Sequence, residues 1–169
     1  MSHPVKPILP GDAANIHQIR AICMALPEAN ERLSHGEPTW FAGKGKVFAM
    51  LDNHHHGANH LAVCLPQPMG AQEALIEMDS KRFFRPPYVG PSGWVGVVLD
   101  SGTNWKEVEA LVRDAYLHVA GIKLRAKLLD DADVAPIAKR IKTPARKTLP
   151  KAYTSTAESV ATKKKRPRG

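Results

Sequence analysis

The sequence predicts an α+β domain with a small, largely antiparallel sheet, and three observations predict it. Residues 13–26 and 105–119 repeat apolar side chains at helical spacing. Between them lie short aromatic and β-branched runs, separated by Gly, Pro and Asn. Those runs mostly follow one another directly, without the long helical crossovers that parallel strands require.

Residues 1–11 hold three prolines and no periodic pattern, so they read as a loose lead-in. Asp12 is a plausible N-cap. Ile16, Ile19, Ile22, Cys23 and Leu26 recur at steps of three and four, which gives a helix one core-facing stripe. Pro27 ends that helix. Residues 39–42 and 47–51 then form a β-hairpin, with Gly43 and Gly45 supplying the turn. Residues 60–65 form a further strand, closed by Pro66 and Pro68. Residues 72–78 make a short helix, and residues 80–93 an irregular connection. Residues 94–99 are the last strand. Gly96 inside it marks a bulge or the close approach of a neighbouring side chain. Asn104 caps a final helix whose buried stripe is Val108, Leu111, Val112, Ala115 and Val119, with Gly121 as its stop. Residues 122–129 either prolong that helix or form a separate turn.

Charge divides the chain more sharply than hydropathy does. Through Ile122, 10 Lys and Arg stand against 12 Asp and Glu, whereas from Lys123 to Gly169, 14 stand against 4. The formal net charge of +8 therefore belongs to the C-terminal stretch. Residues 136–169 have few large apolar side chains and four prolines, so they bury too little surface to offset their ordering entropy and are expected to be disordered alone. This gives three segments: a lead-in over 1–11, a folded domain over 12–121, and a basic tail over 122–169.

Other classes are disfavoured. The two cysteines, Cys23 and Cys64, sit among apolar neighbours and read as reduced, buried small hydrophobes. No apolar run approaches the roughly 20 residues a membrane helix needs. The N-terminus lacks the apolar stretch of a secretion signal. A soluble, cytoplasmic protein with no membrane partner is expected.

The elements carry a pattern of residues that is similar to a known family. The first helix closes in Ala25-Leu26-Pro27-Glu28-Ala29, followed by Gly36, Trp40-Phe41 and the run from Gly45 to Leu51. The run from Arg82 to Gly90, Gly93-Trp94-Val95-Gly96-Val97 and Ala115-Tyr116 follow in order. Over roughly residues 12–121 this resembles the MmcQ/YjbR family of bacterial proteins. The resemblance implies a frataxin/CyaY-like fold, with a curved antiparallel sheet and flanking helices. It also implies DNA binding through a double-wing arrangement. Asp12 is the one acidic residue between Met1 and Pro27, so the acidic first-helix surface that frataxin-like proteins use for iron is missing and iron delivery is not expected. The basic tail is an addition that the resemblance does not cover.

The candidate contacts follow from charge and chemistry. In the tail, Lys139, Arg140, Lys142, Arg146, Lys147, Lys163, Lys164, Lys165, Arg166 and Arg168 can neutralise phosphates and release counterions. Such contacts carry little base identity, so low sequence specificity is expected. In the domain, Lys44 and Lys46 flank Gly45 at the hairpin tip, where a wing would reach a groove. Lys81, Arg82 and Arg85 interleave with Phe83, Phe84 and Tyr88 in a pattern that suits stacking and phosphate pairing, although the rings serve equally to pin the loop to the core. Trp40, Trp94 and Trp105 read as packing residues.

His54, His55, His56 and His60 cluster in sequence, but consecutive histidines on one loop rarely close a metal site, and neither a metal nor a cofactor is expected. Walker, dinucleotide-binding and nucleophile-elbow motifs are missing from the sequence, and Ser34-His35 near Glu37 is adjacency rather than triad geometry. The expectation is a non-enzymatic protein that binds DNA, with RNA as a competing polyanion and nucleoid association as a corollary. The alternative is a protein-interaction or small-ligand module, the latter with a pocket lined by Trp40, Trp94 and Tyr88.

Overall fold

A computed structural model describes residues 7–54 and 58–130. Helix α1 spans Ala13–Met24, and the strands are β1 (Ala29–Ser34), β2 (Glu37–Ala42), β3 (Val47–Asn53) and β4 (Leu61–Pro66). Helix α2 (Ala71–Met78), the short strand β5 (Phe83–Phe84) and β6 (Trp94–Val98) follow, and α3 (Trp105–Val119) and α4 (Ile122–Asp130) close the described chain. The six strands form one sheet in the order β1-β2-β3-β4-β6-β5, and every neighbouring pair is antiparallel. The α+β fold is as the sequence predicts.

Strand alternation divides the sheet into two faces. Trp40, Leu51, Val63, Leu65, Val95 and Val97 point to one face, where they meet Ile16, Ile19 and Cys23 of α1 and Val108, Leu111, Val112, Ala115 and Tyr116 of α3. The opposite face carries Thr39, Met50, Cys64 and Gly96, which the strand registers place side by side. The residue 85–92 loop crosses this second face.

Two strands escape the sequence pattern. β1 reads Ala-Asn-Glu-Arg-Leu-Ser, with no β-branched residue, because it is an edge strand paired only with β2. Its turn into β2 is His35-Gly36, with φ of 54° and 83°. Two successive positive-φ residues match the right-handed twist of a two-residue hairpin, a role Asn-Gly fills more often. β5 lies inside the expected irregular connection and is two residues long.

Gly96 has the close approach that its place in a strand predicts. A Cβ there would lie 2.3 Å from Cζ of Phe84, whose ring covers the glycine from the neighbouring strand. Gly96→Ala is expected to destabilise the fold by about 1–3 kcal/mol through overpacking. Urea unfolding should show Phe84→Ala relieving part of that loss, so that the double variant is less than additive.

Capping is half as expected. Asn104 Oδ1 accepts from the Glu107 N–H at 3.4 Å and caps α3. Asp12 precedes α1 but makes no side-chain cap; its carboxylate instead meets His54 Nε2 at 2.7 Å.

The folded body also runs past Gly121, where the sequence ends it. Helix α4 seats Leu128 in the core at 4 % exposure. Arg113 donates to the Leu128 carbonyl at 2.9 Å, and Arg125 Nε donates to the Ala120 carbonyl at 2.7 Å. The first nine residues of the expected tail are thus a packed helix.

Candidate nucleic-acid interface

The turn between β2 and β3 is held from three sides. The Gly45 N–H donates to the Ala42 carbonyl at 3.0 Å, and the Ala42 N–H to the Lys46 carbonyl at 3.0 Å. Gly43 sits at φ 59°, its N–H donates to the Glu28 carbonyl at 3.0 Å, and its carbonyl accepts from Asn30 Nδ2 at 2.6 Å. Lys44 and Lys46 are exposed on this fixed turn. Neither joins an ion pair among the described residues.

Helix α4 packs beside the same turn. A Cβ at Gly43 would lie 3.3 Å from Leu124 Cδ1, so the missing side chain is what lets the helix come this close. Lys127 on α4 pairs with Glu28, the residue whose carbonyl holds Gly43. Lys123, Arg125 and Lys127 are all exposed. Lys44 and Lys46 of the turn therefore share one edge of the fold with three cations of α4. Of the five, Lys127 alone faces a carboxylate partner among the described residues.

Arg82 and Arg85 belong elsewhere. Arg82 pairs with Glu107 at the start of α3, and its guanidinium lies 5.0 Å from the centre of the Phe83 ring. Arg85 reaches Glu73 of α2 at 3.4 Å, and its aliphatic stem packs against Gly90. Strands β3, β4 and β6 separate β2 from β5. Strand register also places Arg82 beyond Phe83, at the Asn53–Leu61 end of the sheet, away from the Lys44–Lys46 turn. Lys81 is exposed beside Arg82. The geometry brings Lys44 and Lys46 together and does not bring Lys81, Arg82 or Arg85 to them. Lys139, Arg140, Lys142, Arg146, Lys147, Lys163, Lys164, Lys165, Arg166 and Arg168 lie outside the described residues.

The aromatic residues divide by burial. Phe83 is in the core, and Phe84 covers Gly96 and touches the His60 ring at 4.8 Å between centroids. Tyr88 is 83 % exposed. Trp40 is fully buried, and its indole N–H donates to Glu31 at 3.0 Å. Trp94 and Trp105 are half-buried. The expected ligand pocket between Trp40, Trp94 and Tyr88 does not form, because Trp40 points to the helix-covered face.

Burial dominates the chemistry of both cysteines. It pushes the Cys23 thiol far up and the Cys64 thiol up to about 12, with Glu31 and Asp52 adding to the respective shifts. Both are free and buried, so an Ellman titration at about pH 8 should leave the native protein unmodified and label both thiols after unfolding. His54 bonds to Asp12, and His55 and His56 lie outside the described residues. Among the described residues, no three His, Cys, Asp or Glu side chains gather to hold a metal ion. No described helix is long and apolar enough to cross a membrane.

The YjbR family model matches residues 24–118, more than half of the chain and the whole run from β1 to near the end of α3. The chain belongs to the YjbR family. A crystal structure of the Deinococcus radiodurans protein DR2400, a DUF419 domain, superposes with a TM-score of 0.51 at 17 % identity. The match covers 73 % of this chain and 86 % of that one, and it establishes the shared fold. No curated protein matches the sequence. In this YjbR-family chain α4 and the basic stretch after it lie beyond the family match.

The cations of α4 are the part of the candidate interface that sequence reasoning misses. Residues 122–129 are rich in charge and so read as tail, and no local signal announces the contact between Gly43 and Leu124. The available clue is Leu124 and Leu128 at helical spacing.

Proposed function

We propose that this protein is a non-enzymatic binder of duplex DNA. In this reading the β2–β3 turn and α4 form a fixed basic edge, and the basic sequence after Asp130 adds long-range electrostatic capture. The observation that carries it is the packing of Leu124 on Gly43, which sets the cations of α4 beside Lys44 and Lys46 and makes a wing continuous with the root of the basic stretch. Clustered cations on one edge of an otherwise near-neutral domain are the electrostatic footprint of a phosphate-binding surface. Lysines, which act as point charges, position a backbone and read few bases, so binding is of low sequence specificity. Cytoplasmic location and nucleoid association follow from that activity.

Mobility shifts of the full chain on a duplex of mixed sequence at about 50 and 200 mM salt test the reading. An affinity that falls by about a hundredfold or more between the two is expected for several phosphate contacts. Failure to shift the duplex at the lower salt overturns it.

A further inference from the structure

The sheet face that α1 and α3 leave uncovered carries a stacked pair beside the basic turn. Strand register sets Arg32 of β1 opposite Thr39 and Asn30 opposite Phe41 of β2. Residues opposite each other share a face, so Arg32 and Phe41 are diagonal neighbours on the face that bears Thr39. The guanidinium carbon of Arg32 lies 3.6 Å from the centre of the Phe41 ring. That separation is one layer of van der Waals contact. The guanidinium therefore lies flat, because an edge-on group would drive one of its nitrogens into the ring.

The other described arginines are committed elsewhere. Arg20, Arg82 and Arg85 meet Glu31, Glu107 and Glu73, while Arg113 and Arg125 donate to the carbonyls of Leu128 and Ala120. Among the described residues Arg32 faces a ring and no carboxylate. It is exposed, whereas the Phe41 ring beneath it is half-buried. β1 is an edge strand, so no further strand of the sheet covers the pair. The backbone below is fixed, since Asn30 Nδ2 bonds the carbonyls of both Phe41 and Gly43, at 3.4 and 2.6 Å. Phe41 precedes the Lys44–Lys46 turn by three residues, about 10 Å of strand.

We infer that the Arg32–Phe41 pair is a stacking platform for an unpaired base of single-stranded DNA. This rests on the reading of the basic edge as a nucleic-acid surface and extends it from duplexes to unpaired strands. A guanidinium plane accepts a base on its outer side, and the ring behind it holds the plane in place. The edge donors of the guanidinium stay available to the neighbouring phosphate, and Lys44 and Lys46 take the next phosphates along the strand. Inside a duplex the faces of a base are covered by its neighbours, so the platform addresses a base that is out of the stack.

Fluorescence anisotropy of the full chain at about 0.1 M salt tests this with two strands of equal phosphate count. One is oligothymidine of about 12 nucleotides, and the other is the same strand with every base removed. Oligothymidine is expected to bind about tenfold or more tighter. Arg32→Lys keeps the charge and loses the plane, so the variant should bind the two strands within about twofold of each other. Phe41→Leu should narrow the difference in the same way, and the exposed Arg32→Lys variant decides the matter if Phe41→Leu fails to fold. Equal binding of the two strands by the parent, binding of neither, or a preference that survives in Arg32→Lys would each overturn the inference. Duplex mobility shifts read the other proposal separately. A duplex that binds while the two strands are not distinguished removes the platform alone, and a base preference without duplex binding removes the duplex reading alone.

Discussion

Removing residues 131–169 is expected to weaken duplex binding about a hundredfold at roughly 0.1 M salt and to flatten its salt dependence. The segment carries 11 Lys and Arg against 3 Asp and Glu, a net charge equal to the +8 of the whole chain. Each phosphate that is no longer neutralised lowers the logarithmic salt slope by about 0.9, and several such phosphates together account for the affinity change. The cut must fall after Asp130. A cut after Gly121 would remove Leu128 from the core and Leu124 from Gly43, mixing a folding defect with a charge defect. Electrophoretic mobility shifts across a salt series read both quantities. An unchanged affinity and slope would leave the basic stretch without its proposed role.

Glu31→Ala is expected to lower folding stability by about 2–4 kcal/mol. Glu31 lies on β1 and gathers three donors: Arg20 Nε at 2.7 Å, a second Arg20 nitrogen at 3.0 Å, and the Trp40 indole N–H at 3.0 Å. The two-pronged contact pins α1 to the edge strand. It also raises the Arg20 pKa, chiefly through the hydrogen bond, against a lowering by partial burial. Trp40 is fully buried, so truncating Glu31 leaves its N–H with neither water nor acceptor, and that loss exceeds the value of an exposed ion pair. Glu31→Gln should be milder, because one amide oxygen still accepts from the indole. Chemical denaturation with equal m-values would read the difference. A change below about 0.5 kcal/mol for the alanine variant would show that the junction is not the tie between α1 and β1.

The parts of the fold that are legible in the sequence are those in which burial leaves a period. Ile16, Ile19 and Cys23 face the core as their spacing requires, and so do Val108, Leu111, Val112 and Ala115. Strands β3, β4 and β6 read clearly because they are central and flanked by partners on both sides. β1 is opaque because an edge strand is stabilised by one neighbour and its turn, and needs no apolar run. The turn cations Lys44 and Lys46 are legible from the glycines around them. Arg82 and Arg85 look equivalent to them in sequence. Their carboxylate partners, Glu107 and Glu73, lie 25 and 12 residues away, and only tertiary packing shows that these charges are already matched. The sharing of one sheet face by Glu37 and Asp52 is hidden in the same way, because the two belong to different strands.

In the proposed reading, the β2–β3 turn and α4 act as one DNA-binding surface. The most direct measurement compares duplex affinity, in the full chain at about 0.1 M salt, for Lys44→Glu/Lys46→Glu/Lys123→Glu and for Lys81→Glu/Lys106→Glu. All five lysines are exposed, and Lys81 and Lys106 stand apart from the basic edge, near the Arg82–Glu107 pair. A loss of tenfold or more, about 1.4 kcal/mol, is expected for the first variant and less than about twofold for the second. Equal losses per charge reversed would show that binding follows net charge alone and that the edge has no privileged role.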